Sequence, residues 1–145
     1  MRKRIQIING PNLNLLGTRQ PEIYGETTLK DIEKSCVFIS KEKNLDIEFF
    51  QSNHEGELVE IIQKAETKFD GLIINPGAFS HTSVAILDAL NNYNGMVLEV
   101  HISNIHKREE FRRKSFVSIR ADGVICGFGA SGYEIALTYI KDFLK

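Results

Sequence analysis

Charge of one sign is what this sequence most lacks. Its 18 basic and 19 acidic residues leave a formal net charge of −1, so no overall field draws the chain to nucleic acid or to an anionic membrane. Long hydrophobic runs are missing too. The N-terminus, MRKRIQIINGPN, starts with basic residues, but its apolar run is far too short for a signal peptide or a spanning helix. Cysteine is scarce: Cys36 and Cys126 fall in apolar segments without metal or redox spacing, and read as buried thiols of a protein that works in a reducing compartment, the cytoplasm. The histidines, His54, His81, His101 and His106, lack the spacing of a metal site, so no metal is expected. No lysine lies in an apolar strand. A Schiff-base lysine needs desolvation to lose its proton, so imine chemistry has no candidate. No internal repeat, linker or low-complexity tract is visible.

What is there is enough for one domain, residues 1–145, with a real core. Arg4 to Asn9 is a short apolar run ending in the turn signal Asn-Gly-Pro. Helical spacing follows at Leu29, Ile32, Cys36 and Ile39. Asn44 to Gln51 alternates like a strand over its first half and is closed by Ser52-Asn53-His54, and a second helix carries Leu58, Ile61, Ile62, Ala65 and Phe69. Gly71 to Asn75 is the continuous apolar run of a strand buried on both faces. Ser80 to Tyr93 reads as a helix with Val84, Leu87 and Leu90 or Asn91 inward, and a short helix is expected around Glu109 to Lys114. The last strand lies near Val124 to Cys126, and Ser131 to Leu144 forms a final helix bearing Ile135, Ile140, Phe143 and Leu144. Five strands alternating with helices predict an α/β fold: a flavodoxin-like, doubly wound, five-stranded parallel sheet with helices on both faces. Ligands of such sheets bind beyond the carboxyl ends of the strands. Those ends are polar here: Asn9 with Asn12, Ser52 to His54, Asn75 with Gly77, and His101 with Ser103.

The run Met96 to Asn104 stands at the centre of the chain's chemistry. Residues i and i+2 of a strand share a face, so Glu99 and His101 sit side by side, with Leu98, Val100 and Ile102 opposite. An ionised Glu inside a strand is unfavourable unless paired, and a neighbouring His provides the partner while the carboxylate orients the ring and favours its charged form. The alternative, a solvated edge strand, fits poorly with a run that is apolar at nearly every other position.

Other motifs carry less. Asn75-Pro-Gly-Ala-Phe-Ser-His-Thr-Ser83 joins a strand end to a helix start, where Ser80 or His81 is placed to cap the helix and its amides favour anions. A bare capping motif is common; Asn75 and His81 on one rim argue for binding. Gly127-Phe-Gly-Ala-Ser-Gly132 matches the dinucleotide pattern, but follows the last strand instead of the first. Its glycines suit a tight strand-to-helix turn. The aperiodic segment 10–27 is long for a structureless connection, which marks it as functional or disordered. It holds Arg19 and Tyr24. A phenol titrates near pH ~10, and an adjacent guanidinium lowers that value; the alternative is an aromatic anchor for the loop. A flavin-binding module would need a hydroxyl-rich loop after the first strand, and a phospho-accepting receiver would need acidic residues where this chain has Asn9 and Asn75.

The runs NGPNLNLLGTRQPEIYG, FQSNHEGELV, NPGAFSHTSVAILDAL, EVHISNIHKREEFRRKS and GVICGFG, in that order, strongly resemble the type II 3-dehydroquinate dehydratases, cofactor-free enzymes of the shikimate pathway. Only 116–122 and the last helix are undistinctive. The resemblance implies a dodecamer, a tetramer of trimers, and a lyase that converts 3-dehydroquinate to 3-dehydroshikimate by anti elimination through an enolate. It implies that Tyr24 is the base, activated by Arg19, within an active-site loop at 10–27. Asn12 helps stabilise the enolate through water, His101 protonates the departing hydroxyl, and Glu99 orients His101. Asn75, His81, Ile102 by its backbone, Ser103 and Arg112 clamp the substrate, and Asp88 reaches the site of an adjacent subunit. No cofactor, nucleic acid or membrane partner is implied.

Overall fold

The computed structural model describes residues 1–18 and 20–145, with Tyr24 described by its backbone alone. Five parallel strands, β1 (Lys3–Asn9), β2 (Leu45–Gln51), β3 (Gly71–Asn75), β4 (Met96–His101) and β5 (Gly123–Cys126), form one sheet in the order β2-β1-β3-β4-β5. The order reverses between β1 and β3, the position where ligands of doubly wound sheets bind. Asn9 pairs in register with Gln51 on one side and Asn75 on the other, so polar strand ends line up along one rim.

The helices are α1 (Pro21–Tyr24), α2 (Leu29–Glu42), α3 (Glu55–Ala65), α4 (Val84–Asn91) and α5 (Ser131–Phe143). One face of the sheet packs Ile5, Ile7, Ile73, Leu98 and Val100 against Ile32 and Cys36 of α2 and Tyr133, Leu137 and Ile140 of α5. The other packs Ile8, Leu72, Ile74 and Val97 against Leu58 and Ile62 of α3 and Ile86 and Leu90 of α4. β1 and β3 are covered on both faces, as in a flavodoxin-like fold: β3 is apolar on both sides up to Asn75, and β1 buries Gln6 among its isoleucines. Thr28 caps α2 in a reciprocal pair: its hydroxyl accepts from the Asp31 amide and the Asp31 carboxylate accepts from the Thr28 amide, each at 3.1 Å. No helix among the described residues is long and apolar enough to cross a membrane.

Several local expectations shift. The helix expected from Ser80 begins at Val84, after a 3-10 turn at Gly77–His81, and Ser83 caps it by accepting from the Ile86 amide at 2.9 Å. Ser80 is unavailable as a cap because it is buried and its carbonyl takes the Phe116 amide at 2.8 Å. The later start rotates the inner stripe to Ile86, Ala89 and Leu90 and leaves Val84 51% exposed. In α5 the inner stripe is Tyr133, Ala136, Leu137 and Ile140, whereas Ile135 and Phe143 face outward. α3 stops at Ala65, and Phe69 packs from the following turn. The Glu109–Lys114 region is a single 3-10 turn at Glu110–Arg112. Cys36 is buried, and burial with the nearby Glu134 and Glu33 pushes its thiol up to about 12. Cys126 is only half-buried, because β5 is an edge strand.

The glycine-rich run after β5 is the tight turn expected of it. Gly127 and Gly129 take φ of +89° and +58°, and a Cβ on Gly132 would approach Val100 to 3.1 Å.

Candidate active site

Two loops cross at the rim, and their approach depends on missing side chains. A Cβ on Gly10 would fall 2.3 Å from the Pro76 carbonyl oxygen, and one on Gly77 (φ +57°) would fall 3.0 Å from that of Pro11. The loop after β1 therefore lies directly against the turn after β3. It carries Asn12 in the left-handed conformation (φ 67°), with its amide donating to the Asn53 side-chain oxygen at 2.9 Å. The polar end of β2 thus positions the end of β1.

Beside this crossing is a cavity lined by Asn12, Asn75, His81, His101, Ile102, Ser103 and Arg112, among others. Seven of the eleven residues singled out in the sequence meet there. Glu99 lies immediately behind His101 and is fully buried. Asp88, on the exposed side of α4, does not line this chain's cavity. Arg19 and the side chain of Tyr24 lie outside the described residues.

His101 Nε2 is hydrogen-bonded to Glu99 Oε2, which leaves Nδ1 as the ring nitrogen not engaged by the carboxylate. Glu99 also accepts from Ser115 Oγ at 2.7 Å and Ser118 Oγ at 2.6 Å. Burial raises the Glu99 pKa, but the bond and charge of His101 and the two hydroxyls outweigh it and hold the carboxyl below its ordinary range. A buried anion with three donors is a fixed charge at the cavity wall.

His81 sits in the 3-10 turn after β3, its Nδ1 2.9 Å from the Lys114 carbonyl. As the proton of a neutral ring, Nδ1–H donates to that oxygen and leaves Nε2 as an acceptor. Burial lowers its pKa; the Lys114 carbonyl opposes this, and the charges of His101, Arg112 and Arg108 add to it. Arg112 pairs with Glu109 one 3-10 turn away, and its guanidinium lies 5.1 Å from the Phe111 ring centre. Arg108 also lines the cavity and donates to Ser103 Oγ at 3.5 Å. The wall combines cations, amides and one buried imidazole–carboxylate pair, which suits a small anionic substrate with several oxygens.

A family model described as dehydroquinase class II matches residues 3–141. The chain belongs to this family. The chain is 58% identical over 140 residues to a 3-dehydroquinate dehydratase of Cereibacter sphaeroides, covering 97% of this chain and 95% of the relative. It is 60% identical over 134 residues to a 3-dehydroquinate dehydratase of Streptomyces avermitilis, covering 92% and 84%. The crystal structure of a type II dehydroquinase from Propionibacterium acnes superposes with a TM-score of 0.95 at 43% identity, covering 98% of each chain.

Within this class II dehydroquinase chain, sequence reasoning missed Ser115 and Ser118, which complete the shell of Glu99. They lie in or beside 3-10 segments without periodicity, 16 and 19 residues from the carboxylate they serve. It also passed over Arg108, whose signal was its place in the basic run His106-Lys-Arg just after β4. Of the rim residues expected at the end of β2, Asn53 serves as a support, and His54 stands at the start of α3 without lining the cavity.

Proposed function

We propose that this chain dehydrates 3-dehydroquinate to 3-dehydroshikimate, the dehydration step of the shikimate pathway, as a cofactor-free hydro-lyase. The observation that carries this reading is the buried Glu99–His101 pair at the wall of a cavity that also holds Asn12, Asn75, His81, Ile102, Ser103 and Arg112. Anti elimination needs a base on one side of the ring and an acid on the other. Tyr24, its phenolate favoured by the Arg19 guanidinium, takes the proton beside the ketone, and the electron pair moves onto the oxygen as an enolate. Asn12 holds a water against that oxygen. As the enolate collapses, the C–O bond breaks and His101 gives its Nδ1 proton to the departing hydroxyl, which leaves as water. Glu99 fixes the ring through Nε2 and compensates its positive charge. Asn75, His81, the Ile102 amide, Ser103 and Arg112 clamp the carboxylate and hydroxyls of the substrate.

Residues 1–145 act as one catalytic domain in the cytoplasm, with 10–27 as the active-site loop. The chain works as a dodecamer, a tetramer of trimers, in which Asp88 completes a neighbour's site. Exposed Asp88 and the 51% exposed Val84 on the outer face of α4 support this contact. The test is direct: add 3-dehydroquinate to the purified protein and follow the ultraviolet absorbance of the conjugated enone. No absorbance rise removes the reading. Tyr24→Phe, which keeps the ring and removes the proton acceptor, should lower turnover by roughly 10² or more. Exchange of the proton beside the ketone with solvent at the native rate in Tyr24→Phe would place the base elsewhere. Sedimentation under assay conditions tests the assembly: a fully active monomer contradicts it.

A further inference from the structure

Behind Asn75 lies a chain of hydrogen bonds that none of the roles above uses. Tyr133, on α5, is fully buried, and its hydroxyl donates to Asn9 Oδ1 at 2.6 Å. Asn9 Nδ2 donates to the Phe50 carbonyl at 3.1 Å. Asn75 Nδ2 donates to the Tyr133 oxygen at 2.9 Å, and Asn75 Oδ1 accepts from the Gly77 amide at 3.2 Å.

The two ends of this chain are backbone groups with a single possible role each. The Phe50 carbonyl only accepts, so the Asn9 amide must turn its nitrogen toward it. Asn9 Oδ1 then faces Tyr133, whose hydroxyl must donate, leaving the phenol oxygen to accept from Asn75 Nδ2. From the other end, the Gly77 amide only donates, so Asn75 Oδ1 must face it. Both ends demand the same direction throughout. A flip of either asparagine amide would set donor against donor and acceptor against acceptor inside the core. Burial raises the Tyr133 pKa, so the phenol keeps the proton this arrangement needs.

We propose that Tyr133 is a positioning residue for substrate binding: through this one-directional relay it locks the Asn75 amide so that its unused Nδ2 hydrogen is offered to an oxygen of the ligand. The proposal rests on the reading of Asn75 as part of the substrate clamp. A hydroxyl on the far helix thereby decides that the site shows a donor at this point, and that it favours an oxygen acceptor there over a donor.

The test is a pair of variants with a kinetic and a spectroscopic readout. Tyr133→Phe leaves the ring to fill its place and removes only the hydroxyl. KM for 3-dehydroquinate should rise roughly 3- to 10-fold, about one neutral hydrogen bond's effect, while kcat changes less. Added to Asn75→Ala, the same substitution should cause no further rise, because its target is gone. Asn9→Ala, which cuts the relay one link away, should raise KM in the same direction but less. A wild-type KM in Tyr133→Phe, or a full additive rise on top of Asn75→Ala, overturns the proposal and makes Tyr133 a core residue only. The second readout needs no substrate. In protein labelled with nitrogen-15 at asparagine, the Asn75 side-chain protons should exchange slowly with solvent and lose that protection in Tyr133→Phe. Unchanged protection contradicts the relay. A wild type inert toward 3-dehydroquinate, with protection lost in the variant, would instead remove the functional reading and leave the relay standing.

Discussion

On the α5 face of the sheet, Asn9, Tyr133 and Asn75 join into a line of neutral hydrogen bonds that ends on two backbone groups. On the α3 and α4 face, Glu99 gathers His101, Ser115 and Ser118 around one buried charge. Both networks stand at the carboxyl ends of central strands, and both reach the same cavity through one residue, Asn75 or His101. They solve different problems. The neutral line fixes the direction of an amide and has no group that titrates near neutrality. The charged cluster fixes an imidazole and answers to pH, because its stability depends on a proton staying off Glu99. Each network thus fixes one side chain of the cavity wall, an amide from one face of the sheet and an imidazole from the other.

The charged side is where a break should do most. His101→Ala removes the proposed acid and leaves Glu99 buried with two neutral donors. Turnover should fall by a factor of ~10² to 10⁴. Stability should fall by about 3–5 kcal/mol, the usual consequence of stripping one partner from a buried ion pair. Steady-state kinetics and urea unfolding measure the two separately. Near-native turnover would mean that another group protonates the leaving hydroxyl.

Glu99→Gln should have a milder effect on turnover, since an amide still offers His101 an oxygen. Its clearer mark is in acid. The folded Glu99 carboxyl titrates below its ordinary value of 4.5. Its contribution to stability is therefore complete above about 4.5, and is lost as pH falls through the folded pKa. Unfolding free energy of the wild type should thus drop more steeply below pH ~4.5 than that of Glu99→Gln. Parallel pH profiles would show that the shell of donors does not hold the charge. A smaller step on the same side is Ser118→Ala, which removes a 2.6 Å bond to the carboxylate and should cost about 1.5–3 kcal/mol of stability.

The two networks also differ in how far they were legible in the sequence. The pairing of Glu99 with His101 follows from strand alternation alone, as does the opposite placement of Leu98, Val100 and Ile102, and the structure keeps both. The five strands and the polar rim were legible for the same reason: period-two and continuous apolar runs are local signals. Ser115 and Ser118 were not, because their partner lies far away in sequence and a 3-10 segment has no periodicity to read. Tyr133 was hidden in another way. It looks like one more residue of an amphipathic helix, and only the register that places Asn9 beside Asn75 gives its hydroxyl two partners. The start of α4 was misplaced because Phe-Ser-His-Thr-Ser offers several capping groups. The Phe116 amide donates to the Ser80 carbonyl, which takes Ser80 out of that choice, and the cap falls to Ser83.

The neutral side gives the smallest expected effect and the sharpest contrast. If Tyr133 acts only by orienting Asn75, the ratio of KM in Tyr133→Phe to KM in the wild type should not change with pH between roughly 6 and 9, where neither an amide nor a phenol of ordinary pKa changes charge. Burial raises the Tyr133 pKa further and so widens that margin. Taking a ratio removes what both proteins share, including any titration of His81, whose pKa is lowered by burial. The same ratio for kcat in Glu99→Gln has no such reason to stay flat, since that substitution removes a charge beside the imidazole. Steady-state kinetics of both variants at five or six pH values would decide it. A Tyr133→Phe ratio that drifts with pH would couple the relay to a titrating group across the cavity, and the independence of the neutral network from the charged one would fail.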